Sequence, residues 1–96
     1  MPRLRTHPGE VLREEYLVPL GLSAAALARA IQVPGNRISD ILRERRDISA
    51  DTAIRLGKYF GVDPRFWLNL QSSYDLSVAE RSHDYSRVAR RKGQAA

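Results

Sequence analysis

The sequence predicts an all-α fold of five short helices followed by a basic tail. Three observations predict it. Apolar residues recur at three- and four-residue spacing, and no stretch alternates like a strand. Helix-starting residues (Ser, Asp or Pro) precede the apolar stripes, and Gly or Pro follows them. The chain has 96 residues and is 43% hydrophobic, enough for one domain with a modest core.

Residues 1–6 are short and basic and read as a mobile N-terminus. The first helix opens in "HPGEVLREEYLVPLG". Pro8 suits a first turn, and Glu10, Glu14 and Glu15 favour its positive end. Leu12 and Tyr16 share a face. Pro19 disfavours helix at Val18, so the helix is expected to stop there.

In "LSAAALARAI", Ser23 is a good N-cap, and Leu22 and Leu27 are placed to form a hydrophobic staple across it. The alanines favour helix and let a neighbour approach closely. The third helix, "PGNRISDILRERR", begins at Pro34. Ile38, Ile41 and Leu42 form its buried stripe, with Asn36, Asp40 and Arg43 on the opposite side. The fourth has Ser49 as cap, Ala53, Leu56, Gly57 and Phe60 on one face, and Gly61 as stop. The fifth has Asp63 as cap, Pro64 at its first position, and Trp67, Leu70, Tyr74 and Val78 as its stripe. Residues 7–80 therefore form the folded unit. Residues 81–96 are polar and read as a flexible tail.

The net charge of +5 is uneven: residues 1–80 carry +1 and residues 81–96 carry +4. The folded part is thus not a basic surface as a whole, and local clusters have to identify its partner. No apolar run reaches the roughly 18 residues of a membrane span, and no secretory leader is expected. There is no cysteine, hence no disulfide framework and no thiolate for metal or nucleophilic chemistry. His7 and His83 have no metal-ligand neighbours at useful spacing. No carboxylate pair, Ser/His/Asp set or phosphate-cradling glycine loop is present, so an enzyme, a metal site and a cofactor are not expected.

The second and third helices, about 23–32 and 34–45, have the pattern of a helix-turn-helix. Ala28 is the small residue over which the second member packs. Leu27, Ile31, Val33, Ile38 and Ile41 supply the apolar positions around the turn. The turn position that commonly holds a glycine with positive φ falls on Gln32, an expected strain of about 1 kcal/mol or more. With its inner face buried, the third helix presents Gly35, Asn36, Arg37, Ser39, Asp40 and Arg43 outward, where its N-terminal half can enter a major groove. Asn36 can read adenine, Arg37 or Arg43 guanine, and Asp40 can accept from cytosine. Gly35 leaves room for a close backbone approach. Ser23 with its helix start, Arg45 and Arg46 suit phosphates. A polar outer face is by itself only a solvated face; the spacing, small residue and cap together carry the reading. Phe66, Trp67, Leu70 and Tyr74 are core or dimer residues.

The stretches "HPGEVLREEYL", "LSAAALARAIQV", "NRISDILRERRDISADTAIRLGKYFG" and "FWLNLQSSYDL" together resemble HigA-type antitoxins of bacterial toxin–antitoxin modules. These are a branch of the Cro/cI-like (XRE) helix-turn-helix proteins. The resemblance covers most of residues 7–80. It implies a cytoplasmic homodimer that binds a palindromic operator in its own promoter and neutralises a HigB/RelE-like mRNA-cleaving toxin. Two alternatives use the same residues: a stand-alone transcription regulator, and an interaction module whose DNA helix is vestigial.

Overall fold

His7 has extended backbone dihedrals, and its Nδ1 accepts the Gly9 N–H at 2.9 Å. A buried histidine therefore caps the first helix, with Pro8 at the next position, where a missing N–H costs nothing. In the computed structural model, which describes residues 5–92, this helix is the first of five. Residues 1–4 and 93–96, the ends of the expected mobile start and basic tail, lie outside the described residues.

Helix α1 runs as Pro8–Val11, widens into a π segment over Leu12–Leu17, and closes as Val18–Leu20. The expected stop at Val18 is thus corrected: the helix carries Pro19 inside it and ends at Gly21, φ 62°. In an α-turn a proline ring presses on the carbonyl four residues earlier, and a wide turn just before it accommodates the ring. Val18 N–H accordingly reaches back five residues, to Arg13.

Helix α2 is Ala24–Ala30, and Ser23 Oγ accepts the Ala26 N–H. Helix α3 is Gly35–Leu42. Pro34 is its extended N-cap and not its first helical residue, a shift of one position. Both helices stop before the expected 32 and 45, and for the same reason. Gln32 and Glu44 both have φ 61°. Val33 N–H bonds Ala28 O and Gln32 N–H bonds Arg29 O; Arg45 N–H bonds Asp40 O and Glu44 N–H bonds Ile41 O. These are two Schellman closures built on side-chain-bearing residues where glycine is usual. The left-handed turn expected at Gln32 is present, and a second follows α3.

Helix α4, Ala50–Phe60, starts at Ser49 and stops at Gly61, as its local signals dictate. Helix α5, Pro64–Ser82, starts at Asp63, whose carboxylate accepts the Arg65 N–H at 2.9 Å. The stripe expected on α5 needs correction. Trp67 is fully buried, but Leu70, Tyr74 and Val78 are only half-buried, and the other buried positions are Gln71 and Ser77. Gln71 is useful there. Its Oε1 accepts the Ile48 N–H at 2.7 Å and its Nε2 donates to Asp75, so α5 fixes the loop that follows α3. Beyond Ser82 the described residues are exposed and non-helical.

The core collects Leu12 and Leu17 of α1, Leu27, Ala28 and Ile31 around α2, Ile38 and Ile41 of α3, Ile48, Ala53, Leu56 and Trp67. Two glycines permit its tightest contacts. A Cβ on Gly57 would lie 2.5 Å from the Val62 carbonyl oxygen, and one on Gly9 would overlap the carbonyl of Ile41. The start of α1 thus lies directly on the end of α3.

Candidate nucleic-acid interface

The buried stripe of α3 sets what it shows to solvent. Ile38 and Ile41 are fully buried and Leu42 is packed against the core. That orientation leaves Gly35, Asn36 and Arg43 exposed and Arg37, Ser39 and Asp40 half-buried along its outer side. Of the six positions expected to read bases, Asn36, Ser39, Asp40 and Arg43 share the outer face and Gly35 and Arg37 flank it on either side, and they differ in how free they are. Asn36 and Arg43 make no side-chain hydrogen bond to the described residues. A Cβ on Gly35 would meet nothing within 4 Å, so the fold itself does not require glycine there. Ser39 Oγ donates to Asn36 O at 3.4 Å, a long bond.

Arg37 and Asp40 are already engaged. Arg37 Nη1 donates to Asp51 Oδ2 at 2.6 Å, and Asp40 lies 3.9 Å from Arg46. Arg45 is exposed with no ion pair among the described residues, whereas Arg46 is shared between solvent and Asp40. Ser23 is exposed at the start of α2, its Oγ occupied by its own helix. Trp67 belongs to the core and not to an interface. Leu70 is half-buried against the core, Phe66 is 37% exposed with its edge on Trp67, and Tyr74 packs its ring on His7 at 4.8 Å.

Three residues that hold this face were not anticipated. Arg13 of α1 donates to Leu42 O at 3.0 Å, and Arg55 of α4 donates to Ile31 O at 2.8 Å and Gln32 O at 3.3 Å. Each guanidinium covers carbonyls left open where a helix of the pair ends, with the cation on the negative end of the dipole. Asp51, in the first turn of α4, accepts from both Arg37 and Arg55, at 2.6 and 3.0 Å. Those bonds hold its carboxyl below the usual value, the Arg37 hydrogen bond contributing most and the Arg55 bond next. The only sequence signal for this trio was the acid-before-base spacing of Asp51 and Arg55, which reads equally as a surface helix pair.

Among the described residues no cluster of His, Cys, Asp or Glu could hold a metal ion, and no helix is long and apolar enough to cross a membrane.

Comparison with known proteins identifies the family. A helix-turn-helix family model matches residues 12–67. Virulence-associated protein I of Dichelobacter nodosus is 61% identical over 75 residues, covering 78% of this chain and 69% of that protein. The Pseudomonas aeruginosa antitoxin HigA, solved with the higBA promoter, is 53% identical with a TM-score of 0.79, covering 80% of this chain and 84% of that one. Antitoxin GraA in complex with its operator is 49% identical with a TM-score of 0.82, covering 86% and 84%. With the fold, the exposed α3 face and these relatives in agreement, the chain belongs to the Cro/cI-like helix-turn-helix family, in its HigA-type branch, and is not an enzyme.

Proposed function

We propose that this protein is a cytoplasmic antitoxin and autorepressor. As a homodimer it places α3 in successive major grooves of a palindromic operator, and it neutralises a HigB/RelE-like toxin. The observation that carries the DNA reading is the free Asn36/Arg43 edge on a helix whose opposite side is fully buried. Two solved relatives near 50% identity, HigA with its promoter and GraA with its operator, support it. Asn36 and Arg43 read base edges, with Gly35 leaving space for the backbone to approach. Arg45, Arg46 and the N–H groups at the start of α2 beside Ser23 contact phosphates. Phe66 supplies apolar area for the dimer. The exposed Glu10, Glu14 and Glu15 on α1 offer acidic groups to a toxin whose RNA-binding face is basic.

The test has two arms. Binding to the chain's own promoter, followed by footprinting, should show half-site centres about 34–36 Å apart. Arg43→Ala should abolish repression yet leave rescue from the product of the adjacent gene intact. If that product is neither toxic nor bound, the stand-alone regulator replaces the antitoxin. If the promoter is not bound but the toxin is, the interaction module replaces both.

A further inference from the structure

Asp51 is an anomaly beside a helix proposed to approach DNA. Its carboxylate is exposed, it repels the backbone of a duplex, and it is two residues past the N-cap of α4, Ser49, where an anion of the ligand would otherwise be welcome. It sits in a cleft between α3 and α4 lined also by Arg37, Arg46, Asp47, Ser49 and Thr52. One oxygen, Oδ2, takes both guanidinium contacts. Arg55 is itself anchored on Ile31 O and Gln32 O, in the turn between α2 and α3. A continuous set of bonds therefore runs from the turn through Arg55 and Asp51 to Arg37, whose side chain is the second along α3 after Asn36.

We propose that Asp51 is a positioning residue that fixes the Arg37 guanidinium for base reading and keeps it from serving as a loose phosphate contact. Asp51 thereby sets sequence preference at the cost of raw affinity. The inference rests on the operator-binding reading given above. The physics is that of a preorganised fork. A free arginine has many rotamers and finds the nearest phosphate whatever the sequence. One held by a carboxylate has its remaining N–H groups aimed, and loses less freedom on forming a bidentate contact with guanine. The same carboxylate penalises any docking that brings a phosphate into the cleft without a base partner for Arg37, which disfavours non-specific complexes.

The test measures binding of the full chain to its promoter duplex and to a scrambled duplex across a salt series, for wild type, Asp51→Asn, Asp51→Glu, Arg37→Ala and the Arg37→Ala/Asp51→Asn double variant. Thermal midpoints are recorded alongside. Asp51→Asn should tighten scrambled-duplex binding and steepen its salt dependence by about one phosphate contact. The promoter-to-scrambled ratio should fall roughly tenfold, within the range of one bidentate base contact. Asp51→Glu, which keeps the charge, should retain most of the ratio. In the Arg37→Ala background Asp51→Asn should leave base preference unchanged. An Asp51→Asn ratio equal to wild type, or an equal fall without Arg37, overturns the proposal. A wild-type chain that does not prefer its promoter overturns the operator reading first, and is distinguishable because the promoter-to-scrambled ratio is then near one for every variant.

Discussion

Gly9 is the position where one methyl group should do the most damage. Its added Cβ would overlap the Ile41 carbonyl oxygen and lie 2.9 Å from the carbonyl carbon, with His7 Nδ1 at 3.1 Å. Ordinary contact begins near 3.4 Å, and the obstacle is backbone, so no side chain can turn aside. The start of α1 must lift off the end of α3. That movement strains the Arg13–Leu42 bond, now 3.0 Å, and loosens the packing of Leu12 on the core. Overpacking typically costs about 1–3 kcal/mol. Losing a part-buried hydrogen bond adds about 1 kcal/mol, and the gain in helix preference from Gly to Ala returns at most about 1 kcal/mol. The net is roughly 1–3 kcal/mol, and at about 4–8 °C per kcal/mol for a domain of this size Gly9→Ala should lower the melting temperature by about 4–24 °C. Gly35→Ala is the control, since its Cβ meets nothing within 4 Å. It should melt at or slightly above wild type but bind promoter DNA more weakly. Circular-dichroism melts and gel-shift titrations of the two variants read both effects. A Gly9→Ala protein melting within about 3 °C of wild type would refute the close-approach argument.

Three further outcomes follow from the packing. Trp67 is fully buried and its indole N–H has no acceptor among the described residues; Trp67→Phe removes that orphan donor along with some volume and should cost much less than the roughly 3–5 kcal/mol expected of Trp67→Ala, as denaturant titration will show. Gln32 has φ 61° and no Cβ is favoured there, so Gln32→Gly should raise stability by up to about 1 kcal/mol, and a loss on melting would mean the side chain has a partner that outweighs the strain. Asp63 is held below the ordinary carboxyl value by the Arg65 backbone N–H, and Asp51 by Arg37 and Arg55. Their contribution is present above the unfolded pKa near 4 and lost as the pH falls through the folded values. The melting temperature should drop on acidification below about pH 4, and Asp63→Asn should shrink that drop.

Local signals were legible in the sequence because they act within one turn of chain. Ser23, Ser49, Asp63 and Gly61 cap their helices where composition places them. The outward set on α3 followed from the spacing of Ile38 and Ile41 alone. What escaped depends on residues far apart in the chain. Pro19 continues a helix only because the turn before it widens. Arg13, Arg55 and Gln71 bond backbone groups 29, 24 and 23 residues away, and no periodicity marks a long polar side chain for such a role. Asp51 was invisible as a partner of Arg37 for the same reason, 14 residues separating them across a turn and a loop.

The Arg5 N–H donates to Ser77 Oγ across 72 residues, beside the contact between the His7 and Tyr74 rings. The start of α1 is therefore completed by α5, which is translated later. At about 5–20 residues per second, roughly 4–14 seconds of synthesis separate the two. During that interval the apolar side of α1 has neither Trp67 nor Tyr74 to cover it, and α3 lacks Gln71 to hold the loop behind it. The molecule does not mature from its N-terminus onward. A nascent chain stalled before α5 would present helices without the fold that aims them, so the outer face of α3 takes its final setting only once α5 has been made.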